Sequence, residues 1–435
     1  GGIVTIDVPL ILTSRMEDAA ADSNTLQRYE ATGGYAALRT TLAHLSPEQV
    51  ENQVKESNIQ GRGGAAFPTG VKWGFLAPST PRYLVVNGDE SEPGTFKDRQ
   101  LLERDPHQLV EGTVISSYAL DVHHSFVYIR GEYPRSARRV QRAVDEAYAA
   151  GYLGTDILGS GFDLDVTVHL GGGAYICGEE TALLNSLEGK RGEPRIKPPF
   201  PAVEGLYAGP TIVNNVETIS NVPWIVTNGG AAYAAIGDPA SVGTRMFSLS
   251  GHVVRPGNYE IPMGLTWREL IYDVGRGIRD GKELKCWIPG GASAPWFVPG
   301  EHLDTLVTKD DVAKNGSMLG SGAVVVMDET TNVVAAAHRI VKFFSHESCG
   351  QCTPCREGTT WMERMLARIL EGQGRPADLD LLLDVADNIS PGLRWPPAMT
   401  TICPLGPSAV SPITSIVAHF RDELEAMIAG RSDGA

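Results

Sequence analysis

The order of apolar and polar positions divides the chain into regimes with different periods. Tyr83 to Val86, Phe126 to Ile129 and Asp165 to Leu170 are short apolar or alternating runs bounded by glycine or polar turns, and they read as strands. Leu109 to Ala119 between them reads as a helix, and another runs from about Glu179 to Leu187. Strand and helix in alternation predict an α/β sheet with covering helices over residues 61–240. Ahead of it, Leu38, Leu42 and Leu45 fall at helical spacing and Ser46-Pro47-Glu48 starts a further helix, so residues 1–60 read as a helical lead. Near residue 240 the rhythm changes. Arg245 to Ser250 and Ala323 to Met327 read as strands, Arg255-Pro256-Gly257-Asn258 as a turn and Trp267 to Val274 as a short helix, giving a small α+β unit over 241–330. From Val333 the period is helical. Val333 to Ser345, Thr359 to Leu370, Ala377 to Ile389 and about Pro407 to Ile428 predict a four-helix bundle over 331–435.

Composition narrows the function. A chain of 435 residues exceeds what one core serves. Its 37 basic and 52 acidic residues leave a net charge of −15, which argues against sequence-independent nucleic-acid binding. The most basic stretch, Arg130, Arg135, Arg138, Arg139 and Arg142, reads as a solvated helix face. No apolar run approaches the roughly 20 residues of a membrane span. The start lacks the basic-then-apolar pattern of a secretory signal.

The cysteines carry the strongest chemical signal. Cys349, Cys352 and Cys355 form C-x2-C-x2-C, and Cys403, followed by Pro404, lies 48 residues beyond Cys355. Thiolates packed this closely repel unless a cation neutralises them. A C-x2-C-x2-C run plus a remote cysteine before proline is the pattern of a cubane iron–sulfur cluster. Zinc is the main alternative, but its sites usually show separated C-x2-C pairs. A redox C-x-x-C leaves the third cysteine idle. Cys177 and Cys286 stand alone and read as buried small hydrophobes.

Two glycine loops frame a third feature. Gly61-Arg62-Gly63-Gly64 leads to Gly70; glycine lets backbone N–H groups approach a phosphate, and Arg62 and Lys72 add positive charge. It follows no clear strand, so a plain glycine-rich turn explains it equally well. Gly171-Gly172-Gly173 opens the second, between a strand and a helix, where phosphate sites occur. Glu179 and Glu180 lie in that helix's first turn, where they either cap the helix or bind sugar hydroxyls or a carboxamide. Between the loops, Asp89, Glu90 and Glu92 form a polar loop after a strand.

Five segments, GRGGAAFPTGVKW, VNGDESEPGTFKDR, GGGAYICGEETALLNSLEGKRGEPRIKPPFPA, NNVET and SCGQCTPCREGT, resemble in their order the motifs of the flavoprotein subunit of respiratory complex I. The resemblance runs almost end to end. It implies a Rossmann-like α/β flavin domain, a small ubiquitin-like (SLBB-type) α+β domain and a C-terminal helical bundle carrying a [4Fe–4S] cluster. Carried over by position, Gly61, Arg62, Gly63, Gly64 and Lys72 hold FMN, joined by Asn87, Asp89, Gly178, Asn214 and Asn215. NADH stacks on the flavin and meets Phe67, Phe75, Glu92, Tyr175, Glu179, Glu180, Lys197 and Phe200. Cys349, Cys352, Cys355 and Cys403 ligate the cluster.

Two departures stand out. Ala66 occupies a position where the family has glycine, which implies an ordinary backbone there; Leu393 to Met399 is extra length before Cys403. The implied activity is NADH oxidation through FMN to single-electron carriers, with Glu92 and Glu180 as the catalytic carboxylates. The acids Glu92, Glu179 and Glu180 are expected to repel the 2′-phosphate of NADPH. The implied partners are a thioredoxin-like [2Fe–2S] subunit and a large multi-cluster subunit. The implied location is the cytoplasmic face of a bacterial plasma membrane, as a peripheral subunit, or the mitochondrial matrix in a eukaryote. The competing reading is a diaphorase subunit of an NAD-linked hydrogenase or formate dehydrogenase. The chain's short reach beyond its first loop and last cysteine favours complex I. A zinc-stabilised binding module is the non-catalytic alternative.

Overall fold

Four strands, β1 (Tyr83–Gly88), β2 (His124–Ile129), β3 (Asp165–Leu170) and β4 (Thr211–Asn215), form a wholly parallel sheet in the order β3-β2-β1-β4 in a computed structural model that describes residues 8–16 and 24–429. Leu84, Val85, Val86, Val127, Ile129, Ile212 and Val213 are buried, because elements cover both faces of the inner strands. At the edge, β3 exposes Asp165 and Thr167 on either side of buried Val166. From β1 the chain steps outward to β2 and β3, then returns to the far side of β1 to lay down β4. The carboxyl ends of β1 and β4 therefore flank the point where strand order reverses, which is where open α/β sheets bind ligands.

The helix Pro106–Ala119 lies inside the fold and carries buried polar groups. Its Glu111 carboxylate accepts the N–H groups of Tyr35 (3.0 Å) and Leu38 (2.9 Å), so it anchors the N-terminal helices. Those helices are Leu26–Ala31, Ala36–His44 and Pro47–Glu56; residues 1–7 and 17–23 of the expected lead lie outside the described residues. Ser46 and Gln49 close a capping box at the third. In the basic stretch Arg135, Arg138 and Arg142 are exposed on the Pro134–Ala149 helix, while Arg130 precedes that helix and donates to Glu90 O at 2.6 Å.

A second sheet contains β5 (Thr244–Gly251), β6 (Gly257–Pro262), β7 (Leu284–Ile288) and β8 (Ala323–Asp328) in the order β6-β5-β8-β7. β5 is antiparallel to β6 and parallel to β8, and β8 is antiparallel to β7. Phe247, Leu249, Trp267, Trp287, Phe297 and Val324 fill its core. The stretch expected as a short helix winds as a wide π-type turn over Glu269–Val274, closed by Gly275 N–H on Leu270 O at 3.0 Å.

Five helices end the described chain: Val333–Glu347, Thr353–Leu370, Asp378–Ile389, Leu405–His419 and Arg421–Ala429. The last two were expected as one; Phe420, at φ −137 and ψ 29, breaks them. The second starts six residues earlier than its apolar period, placing Cys355 in its first turn. Among the described residues no helix is long and apolar enough to cross a membrane.

Candidate active site

The first glycine loop lies at the β1/β4 switch point. Gly61 N–H closes on Phe67 O (2.8 Å) and Arg62 N–H donates to Thr218 Oγ1 (2.9 Å), just past β4. A Cβ on Gly63 would stand 3.2 Å from Asn215 Cβ, so the loop packs closely against the end of β4. Gly64 has φ +144 and faces open space. Two expectations fail here. Ala66 is at φ +51, in the left-handed region, so its backbone is not ordinary. The Arg62 guanidinium turns inward, 1% exposed, and donates to Val242 O (2.9 Å), Thr244 O (3.0 Å) and Tyr233 Oη (3.3 Å). Its charge is spent joining the loop to the segment leading into the second sheet, not facing a phosphate on the loop.

The strand ends supply amides. Asn87 Nδ2 donates to Gly178 O (2.9 Å), tying β1 to the second glycine loop, and its Oδ1 accepts Asp89 N–H (3.0 Å). Asn214 Oδ1 accepts the Trp73 indole N–H at 2.9 Å. Asn215 caps the next helix through Glu217 N–H (2.9 Å) and donates to Asp98 Oδ2 (2.6 Å).

Two ammonium groups and two carboxylates alternate near the carboxyl end of β4. Lys72 Nζ reaches Glu180 Oε2 (3.0 Å) and Val213 O (2.8 Å); Lys197 Nζ reaches Glu179 Oε1 and Glu180 Oε1, both at 3.0 Å. Burial pushes the Glu180 carboxyl up, but Lys72 and Lys197 outweigh it and hold it below the usual range. Glu179 also caps the Glu180–Leu187 helix through Thr181 and Ala182 N–H, so the capping alternative is realised. The quartet carries no net charge. Repulsion of a 2′-phosphate by Glu179 and Glu180 is therefore offset at its source. Phe67 and Phe75, 6.1 Å apart, are 45% and 58% exposed, and Phe200 is 57% exposed. Exposed rings offer faces on which a planar ligand can stack.

In the acidic loop each carboxylate has a separate environment. Asp89 is buried; burial pushes its carboxyl up to about 7, and its Oδ2 has no partner. A Cβ on Gly178 would lie 3.5 Å from that oxygen. Glu90 accepts Asp98 N–H (2.7 Å) and Arg99 N–H (3.0 Å), and burial and then Asp98 push it up to about 7. Glu92 accepts Tyr175 Oη–H on Oε2 and Ser293 N–H on Oε1, both at 2.7 Å. These residues fit a flavin mononucleotide: an unpartnered acceptor at Asp89, amides from Asn87 and Asn214, and side-chain-free backbone at Gly63, Gly64 and Gly178.

Cys349, Cys352, Cys355 and Cys403 surround one cavity, walled also by Ile176, Pro194 and Ile402. Among the described residues no three metal-binding side chains converge on a point suited to a single ion. Four thiols spread around a cavity fit a cube of several metal atoms better than zinc. Burial pushes the Cys403 thiol up to about 12, so without a cation it stays protonated. Ile402 N–H donates to Cys352 Sγ at 3.3 Å, the kind of bond that supports cluster sulfur. Cys177 and Cys286 are buried, as expected of small hydrophobes.

Lys97, Asp98 and Glu217 were not singled out from the sequence. Lys97 Nζ, 1% exposed, pairs with Asp98 Oδ1 (2.7 Å) and Glu217 Oε2 (2.8 Å) behind Asn215. They stand inside FKDR and NNVET, so position in a motif was the available signal.

Glycine backbone, amides and a buried carboxyl at the switch point of a parallel sheet, together with a four-thiol cavity, are the features of a flavin- and iron–sulfur-containing oxidoreductase. Residues 54–224 match the model described as Nuo51 FMN-binding domain, and residues 335–427 match the NADH-ubiquinone oxidoreductase-F iron-sulfur binding region. The F subunit of NADH-quinone oxidoreductase of Streptomyces coelicolor is 53% identical over 412 residues, covering 94% of this chain and 89% of the relative. Its counterpart in Mycobacterium tuberculosis is 51% identical, covering 93% and 90%. A chain of an NAD+-reducing [NiFe]-hydrogenase in the H2-reduced state superposes with a TM-score of 0.83 at 34% identity, covering 94% of this chain and 67% of that one. The chain belongs to the family of NADH-quinone oxidoreductase F subunits. It is a flavoprotein oxidoreductase subunit with an FMN-binding domain and a [4Fe–4S] region, and it passes electrons from NADH through FMN to that cluster.

Proposed function

We propose that NADH binds at the β1/β4 switch point, with Glu92 and Glu180 as the carboxylates that meet it and Phe67, Phe75 and Phe200 stacking on its planar parts. Gly61, Gly63, Gly64, Asn87, Asp89, Gly178, Asn214 and Asn215 line the FMN side; Lys72, Glu179 and Lys197 set the charge of the wall, and Arg62 acts from behind. Cys349, Cys352, Cys355 and Cys403 hold the [4Fe–4S] cluster. Bound FMN supplies the conversion between the electron pair of a hydride and the single electrons a cluster accepts. The chain's own residues bind, orient and insulate; no nucleophile is required.

One observation supports this reading most. The Tyr175–Gly178 turn touches both sites: Gly178 O accepts from Asn87, Tyr175 Oη–H reaches Glu92, and Ile176 lines the thiol cavity. A single four-residue turn thus separates the flavin pocket from the cluster cavity. The order β6-β5-β8-β7, with a parallel central pair, supports a ubiquitin-like (SLBB-type) unit over 241–330, between the flavin unit of 61–240 and the helical unit of 331–435, with 1–60 as the lead. The family also supports a thioredoxin-like [2Fe–2S] subunit and a large multi-cluster subunit as partners, and a peripheral place on the cytoplasmic face of a bacterial membrane.

Glu92→Gln tests the assignment. The NADH KM should rise about tenfold, the scale of one hydrogen bond to a charged group, while FMN stays bound. Loss of flavin instead gives Glu92 a different job. Likeness to the hydrogenase chain favours a second reading, a hydrogenase diaphorase subunit, but 34% identity there against 53% weighs against it. Subunits that co-purify decide between them.

A further inference from the structure

Glu92 stands on the flavin unit, yet much of what fixes it comes from the second sheet. Ser293 N–H holds Oε1 at 2.7 Å, and Ala292 N–H meets Pro93 O at 3.3 Å. The turn that presents these groups, Gly290 to Ser293, is pinned in its own sheet by Gly291 N–H on Ala323 O (2.8 Å). Thr95 and Ser321 share a hydroxyl bond at 2.5 Å, and a Cβ on Gly94 would stand 2.9 Å from Val325 Cγ2, so the acidic loop lies flat on this surface.

Gly291 is the critical position. Its φ is +92, and a Cβ there would stand 2.6 Å from Glu92 Cγ and 2.9 Å from Glu92 Oε1. Glycine is needed both for the turn and for the space Glu92 occupies. Among the described residues Glu92 Oε1 accepts Ser293 N–H and Oε2 accepts Tyr175 Oη–H, and the Ser293 hydroxyl is a further partner. A carboxylate has about four acceptor positions, so capacity remains for a hydroxyl or amide donor of a ligand. Tyr175 constrains the carboxylate from one side, and the turn does so from the other.

We infer that the Gly290–Ser293 turn is a positioning element of the NADH site, fixing the Glu92 carboxylate in the orientation that receives donors of the dinucleotide. The inference rests on the reading of Glu92 as an NADH contact. It assigns a role in the reaction to a unit that holds none of the expected cofactor residues.

The test is a double-mutant cycle in the FMN-loaded whole protein, read as the NADH KM and as bound FMN. Glu92→Ala and Gly291→Ala should each raise KM about tenfold with FMN retained. The double variant should be no worse than Glu92→Ala, because the turn acts only through that side chain. Fully multiplicative effects, or a wild-type KM for Gly291→Ala, overturn the inference while leaving the Glu92 reading intact. A wild-type KM for Glu92→Ala overturns both. If Gly291→Ala alone is too unstable to assay, Ala292→Gly, which loosens the turn without adding a side chain, should raise the NADH KM of the wild type and leave that of Glu92→Ala unchanged; an unchanged KM in the wild type counts against the inference.

Discussion

Ala66 shows how one residue can carry strain beside a site. At φ +51 its Cβ crowds the backbone, a conformation glycine adopts freely. Ala66→Gly should stabilise the protein by up to about 1 kcal/mol, because relief of strain exceeds the added freedom of the unfolded chain. An unchanged or lowered unfolding midpoint would show that the loop tolerates alanine without cost. Asp89 carries a different cost. Its carboxyl has an ordinary value near 3.8 and is raised to about 7 by burial. Between those values the folded chain holds the proton and the unfolded chain does not. Stability therefore falls as pH rises through this window and levels off above about 7. Asp89→Asn should flatten the fall of the thermal midpoint from about pH 5 to about pH 7. Glu90 and Asp105 are shifted in the same direction, so some slope should persist. An identical slope in the variant would mean that Asp89 is solvated.

At the scale of elements, the loops are held by contacts with segments distant in sequence. Arg62 joins the first glycine loop to Val242 and Thr244 through buried carbonyls. Arg62→Met should leave those carbonyls unpaired and lower stability by about 3 kcal/mol, with and without added FMN alike. A variant as stable as the wild type that has lost FMN affinity would restore Arg62 to the phosphate. This orientation was hidden in the sequence because backbone carbonyl acceptors have no sequence signature, whereas an arginine among glycines does. The same logic separates the strands. β1, β2 and β3 were legible because apolar runs end in polar turns. β4 escaped because Thr211 to Asn215 is short and its last two residues belong to the NNVET motif; only pairing with β1 makes it a strand. β6 was masked by the turn expected at Arg255 to Asn258, and its pairing with β5 is likewise visible only in three dimensions. The helix from Thr353 begins inside the cysteine run because Pro354 suits a first turn, which its apolar period did not reveal.

Across the whole molecule, electrons need a path from the FMN-binding domain to the iron–sulfur region. Cys349, Cys352 and Cys355 come from the loop and first turn after Val333–Glu347, and Cys403 comes from the loop before Leu405–His419. That the four thiols gather around one cavity agrees with the spacing of C-x2-C-x2-C and the remote Cys403. What spacing did not give is their neighbour: Ile176, from the flavin unit, forms part of their wall. NADH, flavin and cluster act in series, and electron paramagnetic resonance combined with flavin absorbance during anaerobic NADH reduction of Cys403→Ser decides whether they do. The wild type should bleach its flavin and develop the reduced-cluster signal. Cys403→Ser should bleach its flavin equally, with that signal lost or changed in type, while Cys286→Ser matches the wild type. An unchanged [4Fe–4S] signal in Cys403→Ser, or a flavin that NADH no longer reduces, would contradict the series.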